Sequence, residues 1–222
     1  MSFIVAIDGP AGSGKGTVTE ALSKKLGLVN IGTGSAYRCV ALETIKENIS
    51  IEEKDKIIKM LDNLNIDFKI ENGEDEIYLD GENVTTRIRQ KDVSKIVSQI
   101  SAIKEVRIKL NDIFKKVAKG KNVIMEGRDI GTCVFPNADI KIYLDATPHE
   151  RARRREKQNK EQGIEMTYEE ILENIKNRDK IDMEKNFGAL KQADDAIYID
   201  SSNMPIDKVI ETIEKEINKK LK

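Results

Sequence analysis

Residues 3–17 read Phe3-Ile4-Val5-Ala6-Ile7-Asp8-Gly9-Pro10-Ala11-Gly12-Ser13-Gly14-Lys15-Gly16-Thr17, an apolar run that leads into a glycine-rich loop. The loop matches the pattern G-x-x-x-x-G-K in the setting that gives the pattern meaning, between a predicted strand and a predicted helix. Its glycines let successive backbone N–H groups point into one concavity, and the helix that begins at Lys15 adds a partial positive charge. These features predict a site for the phosphates of a nucleoside triphosphate.

We expect the whole loop to bind the triphosphate, with Lys15 reaching the β- and γ-phosphates. Gly16 stands where many such loops have Ser or Thr, and the hydroxyl comes one place later, at Thr17. Asp8 and Glu126 each end a predicted strand, and each either orients water bound to Mg²⁺ or only terminates its strand. The predicted triphosphate-binding residues are Gly9, Pro10, Ala11, Gly12, Ser13, Gly14, Lys15, Gly16 and Thr17.

Composition narrows the class of protein. The 222 residues suffice for one core domain with a modest insertion, and 39% hydrophobic residues suffice to bury a core without metals or disulfides. A net charge of −1 and the absence of Trp disfavour a nucleic-acid or anionic-membrane partner. Cys39 and Cys133 lack metal-ligand spacing, so we expect buried free thiols. No apolar run approaches ~20 residues and no signal peptide is evident, so we expect a cytoplasmic protein, acting as a monomer.

Apolar runs rich in β-branched residues alternate with segments of helical periodicity. The runs are Phe3–Asp8, Leu28–Ile31, Asn122–Glu126, Ile140–Asp145 and Ala196–Asp200. One helical face collects Val106, Leu110, Ile113, Phe114 and Val117, and another collects Ile206, Val209, Ile210, Ile213, Ile217 and Leu221. This alternation predicts an α/β fold, in which helices cover both faces of a parallel sheet and ligands bind at the carboxyl ends of the strands.

One region breaks the alternation. Asn65–Ile70 and Glu76–Leu79 alternate apolar and polar residues, with turn residues at Glu71-Asn72-Gly73 and Asp80-Gly81. This pattern predicts an antiparallel hairpin. We expect a small β insertion, residues 65–105, hinged onto a core formed by residues 1–64 and 106–222.

Arginine residues lie at the ends of several predicted elements. Arg38 follows the second strand, Arg128 follows the third, and Arg178 lies near the end of a long charged helix. Phosphoryl transfer depends mainly on positioning and charge neutralisation, and guanidinium groups grip phosphate oxygens in bidentate fashion. We therefore regard these arginines as candidate phosphate ligands, although each alone would also fit a solvated surface.

A basic cluster, Arg151-Ala152-Arg153-Arg154-Arg155, follows the fourth strand. Acidic residues interrupt its continuation and stacking aromatic residues are missing, which argues against a nucleic-acid patch. We favour a movable lid, at about residues 151–167, over a solvated helix face. Such a lid would bring arginines onto the triphosphate and exclude the water that would otherwise hydrolyse it.

Further segments complete a recognisable set. They are Thr33-Gly34-Ser35-Ala36-Tyr37-Arg38, the stretch from Glu126-Gly127-Arg128-Asp129 to Phe135-Pro136, Arg178-Asp179 with Asp182, and Ala193-Asp194-Asp195-Ala196. With the phosphate loop, they make the chain resemble the bacterial cytidylate kinase family over essentially its whole length. The loop alone would not separate kinase families, whereas the Gly127-Arg128-Asp129 segment together with the β insertion is specific.

The resemblance implies a five-stranded parallel sheet flanked by helices (the P-loop kinase fold), a β-containing insertion that binds the nucleoside monophosphate, and a short helical lid. It implies transfer of the ATP γ-phosphoryl group to CMP or dCMP with Mg²⁺, and no residue as a direct metal ligand. The implied catalytic residues are Lys15, Arg178, Arg154 and Arg155.

The same resemblance implies the acceptor site. Thr33 lies near the acceptor nucleotide, Arg38 and Arg128 hold its phosphate, and Asp182 binds the ribose hydroxyls. The implied readers of the cytosine edge are Ser98, Arg107 and Asp129. Two departures stand out, because Lys185 occupies a phosphate-clamp position usually held by Arg, and Ala189 replaces a usual Pro. They concern the tightness of the acceptor clamp and not the reaction.

Two other functions stay open at this point. The first is a P-loop kinase for UMP, AMP or a non-nucleotide alcohol, against which the insertion with Ser98 and Arg107 argues. The second is a nucleotide-hydrolysing switch, which would need a positioned water activator and a partner surface. The sequence points to neither of those two features.

Overall fold

A computed structural model describes residues 2–161 and 163–221 of the chain. Its strands are β1 (Ile4–Asp8), β2 (Val29–Gly32), β3 (Ile66–Glu71), β4 (Glu74–Leu79), β5 (Glu82–Asn83), β6 (Val123–Gly127), β7 (Ile140–Asp145) and β8 (Ile197–Asp200). Its α-helices are α1 (Lys15–Leu26), α2 (Thr33–Lys46), α3 (Lys54–Met60), α4 (Lys91–Ala102), α5 (Lys104–Ala118), α6 (Pro148–Glu161), α7 (Tyr168–Glu184) and α8 (Ile206–Lys220).

The main sheet has five strands in the order β2-β6-β1-β7-β8. Every neighbouring pair is parallel, with Ile4 opposite Val123 and Val5 opposite Ile140. Each of the five predicted strands is present, with ends that differ by at most one residue. The predicted α/β fold with a five-stranded parallel sheet is therefore confirmed, and the phosphate loop follows the central strand at its carboxyl end.

The second sheet is small and antiparallel, in the order β3-β4-β5. Ile66 pairs with Leu79 and Glu71 pairs with Glu74, so the predicted hairpin is confirmed. Its turn uses Asn72 and Gly73 at φ 53° and 79°, left-handed conformations that these residue types tolerate. The two-residue strand β5 lacks a sequence signal, since no periodicity can be read from so short a segment.

Helices cover both faces of the main sheet. On one face α1 and α8 enclose a cluster that includes Val18, Leu22, Val209 and Ile213. On the other face α2 and α5 enclose a larger cluster. The predicted face of α5 is buried at Val106, Leu110, Phe114 and Val117, with Ile113 half-buried, whereas Ile206 and Leu221 at the ends of the α8 face are exposed.

The hairpin region shares its core with the main sheet. Phe68, Ile77 and Val93 belong to the same hydrophobic cluster as α2 and α5. At the hairpin tip, the Asp75 carboxylate accepts hydrogen bonds from Ser23 Oγ at 3.1 Å and Asn30 Nδ2 at 2.8 Å. Residues 66–83 are thus packed and hydrogen-bonded onto the parallel sheet.

Helices α6 and α7 form an antiparallel pair with a small cluster of their own. Ala152, Ile171 and Ile175 are buried between them. Thr167 caps α7, because its hydroxyl accepts from the Glu170 N–H while the Glu170 carboxylate accepts from the Thr167 N–H. This pair contains the predicted lid.

Both cysteines are free thiols, as the sequence indicated, but only Cys39 is buried and Cys133 is half-buried. Within the described residues, no helix combines the length and apolar character needed to span a bilayer.

Candidate active site

The phosphate loop connects β1 to α1. Gly9 has φ 152° and Gly14 has φ 96°. A Cβ atom at Gly9 would lie 2.0 Å from the backbone oxygen of Leu144, so only glycine fits between the loop and β7. The loop therefore lies directly over the carboxyl end of the sheet.

Lys15 closes the loop on itself. Its side chain is buried, and its ammonium group donates to the Pro10 carbonyl at 2.7 Å and to Ser13 Oγ at 3.3 Å. Burial, and after it the nearby guanidinium of Arg128, lower the pKa of Lys15 to about 7. A phosphate in the loop would replace these weak neutral partners with a charged one.

Three predicted arginines line or approach a cavity of about 800 Å³ above the loop. Arg154, Arg155 and Arg178 lie in its wall together with Ser13 and Thr17. Arg154 also donates to the carbonyl of Ser13 at 3.3 Å and to that of Ser201 at 2.6 Å. The structure thus brings the predicted lid arginines to the loop.

Arg178 and Arg128 lie close enough to repel each other. Burial, and then the charge of Arg128, lower the pKa of Arg178. The charge of Arg128 also lowers the pKa of Lys15. Positive charges held close together in a partly buried site favour the binding of an anion, because a bound phosphate offsets their mutual repulsion.

Arg151 differs from its neighbours in the basic cluster. It is 3% exposed and forms a bidentate pair with Asp179, with nitrogen–oxygen distances of 3.0 and 2.6 Å. Its guanidinium also donates to the carbonyls of Ala146 at 2.8 Å and Ala11 at 3.1 Å. Arg151, on α6, therefore stabilises the phosphate loop through its bond to Ala11, and no sequence motif predicts that role.

Arg107 and Asp129, which the sequence predicts to contact the base, lie next to each other. Arg107 Nη2 lies 3.2 Å from Asp129 Oδ1, and both side chains are largely buried. Burial raises the pKa of Asp129, and Arg107 offsets only part of that effect. Arg107 Nε is buried without a hydrogen-bond partner among residues 2–161 and 163–221, which leaves one donor for a ligand.

Gly188 lies over the Arg107–Asp129 pair, and no sequence motif marks it as a site residue. It has φ 65°, and a Cβ atom there would lie 2.3 Å from Asp129 Oδ2 and 2.5 Å from Arg107 Nη2. The backbone of the segment after α7 thus rests directly on the predicted base readers. Only the combination of left-handed backbone and tertiary contact reveals it.

Asp182 joins the acceptor-side cations. It accepts from Arg128 Nε at 2.9 Å and from Lys185 Nζ at 2.5 Å. Burial acts to raise the pKa of Asp182, but Lys185 and Arg128 outweigh it and hold that pKa below its usual value. Lys185 therefore pairs with Asp182 beside Arg128 and is only partly exposed.

The remaining predicted acceptor residues are more dispersed. Thr33 Oγ1 donates to the Glu126 carbonyl at 3.1 Å. Arg38 donates to Ser94 Oγ at 2.8 Å and to the Ile88 carbonyl at 3.1 Å, which ties α2 to the segment around α4. Ser98 lies exposed on α4, and no hydrogen bond of the described residues joins it to Arg107 or Asp129.

Asp8 has a structural role. Its two carboxylate oxygens accept from the N–H groups of Ile130 at 2.8 Å and Gly131 at 2.7 Å, which holds the π-helical turn Ile130–Val134 next to Asp129. Burial raises the pKa of Asp8 to about 6 despite these bonds. Glu126, by contrast, points its carboxylate at the loop, with Oε1 3.5 Å from the position of a Cβ atom at Gly16.

Comparison with known proteins decides the family. The family model described as cytidylate kinase matches residues 5–219. The chain belongs to the cytidylate kinase family. A cytidylate kinase from Caldicellulosiruptor saccharolyticus is 49% identical over 209 residues, which cover 94% of this chain and 92% of that protein. A cytidylate kinase from Fusobacterium nucleatum is 44% identical over 218 residues, covering 98% of each chain.

Solved structures agree on the fold. A shikimate kinase from Bacteroides thetaiotaomicron superposes with a TM-score of 0.52 at 13% identity, covering 97% of this chain and 98% of that one. At this identity the likeness concerns the P-loop kinase fold alone. Membership of the cytidylate kinase family confirms the resemblance that the sequence motifs indicated, and it makes the chain a kinase.

Proposed function

We propose that this kinase transfers the γ-phosphoryl group of ATP to CMP and dCMP, with Mg²⁺ bound to the triphosphate. The observation that carries the proposal is the position of Arg128. It interacts with Lys15 and Arg178 beside the phosphate loop, and it is hydrogen-bonded to Asp182 on the side of the Arg107–Asp129 pair. We infer that Arg128 lies between the donor and acceptor sites, because its charge lowers the pKa of Lys15 and Arg178 while its Nε donates to Asp182.

In the proposed reaction, an oxygen of the CMP phosphate attacks the γ-phosphorus of ATP in line. The bond from that phosphorus to the β–γ bridging oxygen breaks, and ADP leaves with the electron pair. Lys15, Arg178, Arg154 and Arg155 neutralise the charge that spreads over the transferred group. Arg38, Arg128 and Lys185 hold the acceptor phosphate with positive charge, while Thr33 lies near it and Asp182 binds the ribose hydroxyls.

The residues beside the loop fit a metal that arrives with the triphosphate. Mg²⁺ is usually bound by one or two carboxylates together with substrate phosphates and water. Glu126 directs a carboxylate toward Gly16, and Thr17 offers a hydroxyl in the cavity wall. When bound, Mg²⁺ would neutralise the β- and γ-phosphates, and Glu126 would hold its water ligands.

The acceptor base is assigned by hydrogen-bond complementarity. The carboxylate of Asp129 accepts from the exocyclic amine of cytosine, whereas uracil presents an oxygen there. Arg107 orients Asp129 and offers its unpartnered Nε donor to the base. Ser98 is assigned to the base on the family resemblance alone. We assign residues 65–105 to an acceptor-binding insertion and residues 151–167 to a lid.

A coupled ADP-release assay with CMP, dCMP, UMP, AMP and no acceptor tests the proposal. We expect ADP release with CMP and dCMP to exceed that with UMP or AMP by at least about tenfold, since an unpaired polar contact in a desolvated site costs a few kcal/mol. Preference for UMP or AMP would make the chain a kinase for another acceptor. Equal ADP release without any acceptor would make it a nucleotide-hydrolysing switch.

We also propose that the enzyme works as a monomer in the cytoplasm, without a nucleic-acid or membrane partner. The near-neutral charge and the two free thiols support this assignment. Sedimentation velocity at micromolar concentration checks the monomer directly, and a dimer-sized species at that concentration would contradict it.

A further inference from the structure

A second cavity lies behind the phosphate loop, apart from the residues assigned to ATP and CMP binding, Pro10 excepted. It has a volume of about 320 Å³ and is lined by residues of β7, β8, α6 and α7, with Pro10 of the loop at its inner wall. This volume suits a small organic molecule. The mechanism proposed above leaves the cavity without a role.

Two tyrosines form its aromatic wall. Tyr143 on β7 and Tyr198 on β8 stack with ring centroids 6.1 Å apart. Tyr143 is only 8% exposed, yet its hydroxyl makes no hydrogen bond within residues 2–161 and 163–221. The hydroxyl of this largely buried side chain lies in the cavity wall without a protein partner, so it is free to bond a ligand or water in the cavity.

Carboxylates form the polar wall. Asp145, Asp179 and Asp200 all line the cavity. The charge of Asp179 is balanced by Arg151, at 2.6 Å, whereas neither Asp145 nor Asp200 forms an ion pair in the described part of the chain. Burial, and then the charge of Asp145, raise the pKa of Tyr143 to about 12. The cavity therefore presents a negative potential to any occupant.

We propose that this cavity binds a protonated aliphatic amine of the diamine or polyamine class. The ammonium group donates to the carboxylates of Asp145 and Asp200 and to the hydroxyl oxygen of Tyr143. The methylene chain packs on the ring of Tyr198, which is half exposed, and on the exposed side chain of Met183. Aromatic faces add cation–π attraction for the same charge.

The wall chemistry favours an organic cation over a metal ion. Among the residues that the structure describes, no group of three or more His, Cys, Asp or Glu side chains is arranged to hold a metal. The cavity is instead bounded by rings, by Met183 and by the prolines Pro10 and Pro148, which suit methylene groups.

Calorimetric titration of the nucleotide-free enzyme with spermidine, at fixed ionic strength, tests the proposal. Nucleotide is left out because a polyamine would bind the triphosphate itself. We expect saturable binding of one spermidine per chain. Tyr143→Phe, which removes only the hydroxyl, should weaken binding by about threefold, and Asp145→Asn by about tenfold.

Asp112→Asn is the matched control, because Asp112 is an exposed carboxylate on α5, remote in sequence from every cavity residue. It should leave spermidine affinity within about twofold, since one distant surface charge contributes little in salt. Asp145 accepts from the N–H of Ala146 at 2.8 Å, so its substitution affects a turn. Tyr198→Leu provides a second variant, which leaves that turn bond in place and removes both a ring and the hydroxyl that donates to Asp145 Oδ2 at 3.2 Å. CMP phosphorylation by the Tyr143→Phe and Asp112→Asn enzymes confirms that they are folded.

Two results would overturn the proposal. The first is a titration without saturable heat. The second is a pattern in which Asp112→Asn weakens binding as much as Tyr143→Phe, Asp145→Asn or Tyr198→Leu, because that pattern reports diffuse attraction to an acidic surface. Selective movement of the Tyr143 and Tyr198 ring resonances on titration with spermidine supports it.

Discussion

At residue scale, the proposed charge stabilisation depends on Lys15, which is buried at the end of the phosphate loop. Among the residues that the structure describes, its ammonium group donates hydrogen bonds only to the Pro10 carbonyl and Ser13 Oγ, which are both neutral. We expect Lys15→Ala to lower kcat/KM by at least about a hundredfold, or ~3 kcal/mol, with the fold intact. Lys24→Ala is the control, because Lys24 is on the same helix but pairs at the surface with Glu74. Turnover of Lys15→Ala within about tenfold of the unmodified enzyme would contradict the assignment.

The pKa of the same residue makes ATP binding pH-dependent. Because the pKa of Lys15 is about 7 in the free enzyme, the amine is mostly neutral at pH 8. A bound triphosphate favours the charged form and raises that pKa, so binding at pH 8 takes up close to one proton. At pH 6 the amine is already charged and uptake falls toward zero. Titration calorimetry in two buffers of different ionisation enthalpy measures the uptake, and equal values at both pH values would exclude Lys15 as its source.

Asp129 decides the proposed choice of base. In Asp129→Asn one acceptor oxygen becomes an NH₂ group, which can donate to the O4 atom of uracil but no longer offers a carboxylate to the cytosine amine. We expect kcat/KM for CMP to fall by about tenfold or more, and the preference for CMP over UMP to narrow. Asp62→Asn, at the surface and paired with Lys109, should leave that preference unchanged. An unaltered ratio in Asp129→Asn would remove Asp129 from the base site.

At the scale of elements, the lid and the hairpin differ in how they are attached. The sequence predicted a hinged hairpin. In the structure, Asp75 near the hairpin tip accepts hydrogen bonds from Ser23 of α1 and Asn30 of β2. The chain between α6 and α7, by contrast, is exposed at residues 163–167. We expect limited proteolysis to cut the free enzyme in the lid, and a bisubstrate analogue to protect it while leaving cleavage at Asn72-Gly73 unchanged. Undiminished lid cleavage at saturating analogue would contradict closure.

Sequence reasoning succeeded where structure follows from local pattern. The β-branched runs located every strand of the parallel sheet, and the Asn-Gly turn located the hairpin, because period and turn chemistry act over a few residues. It missed features that depend on distant contacts. Asp8 holds a turn 122 residues away, and Arg151 reaches back to Ala11 across 140 residues. Gly188 could not be singled out, since its need to be glycine arises from a left-handed backbone and from the Arg107–Asp129 pair beneath it, and neither can be read from the sequence.

At the scale of the whole molecule, buried apolar residues of the described chain form three separate clusters. One cluster lies on each face of the main sheet, and a third, formed by Ala152, Ile171 and Ile175, lies only between α6 and α7. We expect a cluster of so few buried residues to contribute little to global stability and to set the angle at which α6 presents Arg154 and Arg155. Packing between α6 and α7 would then affect the proposed catalysis more than it affects folding.

This division predicts opposite effects for two truncations. Ile171→Ala should lower kcat by about fivefold or more, through looser arginine placement, while reducing the free energy of unfolding by less than Leu110→Ala does, because few side chains pack in its cluster. Leu110→Ala, in the cluster shared by α5 and the hairpin, should cost about 2–5 kcal/mol and leave kcat of the folded enzyme nearly unchanged. Urea unfolding and steady-state kinetics on both variants measure the two quantities. If Ile171→Ala lowered the free energy of unfolding as much as Leu110→Ala, the α6–α7 pair would unfold together with the main core. That result would contradict the separation of the apolar clusters.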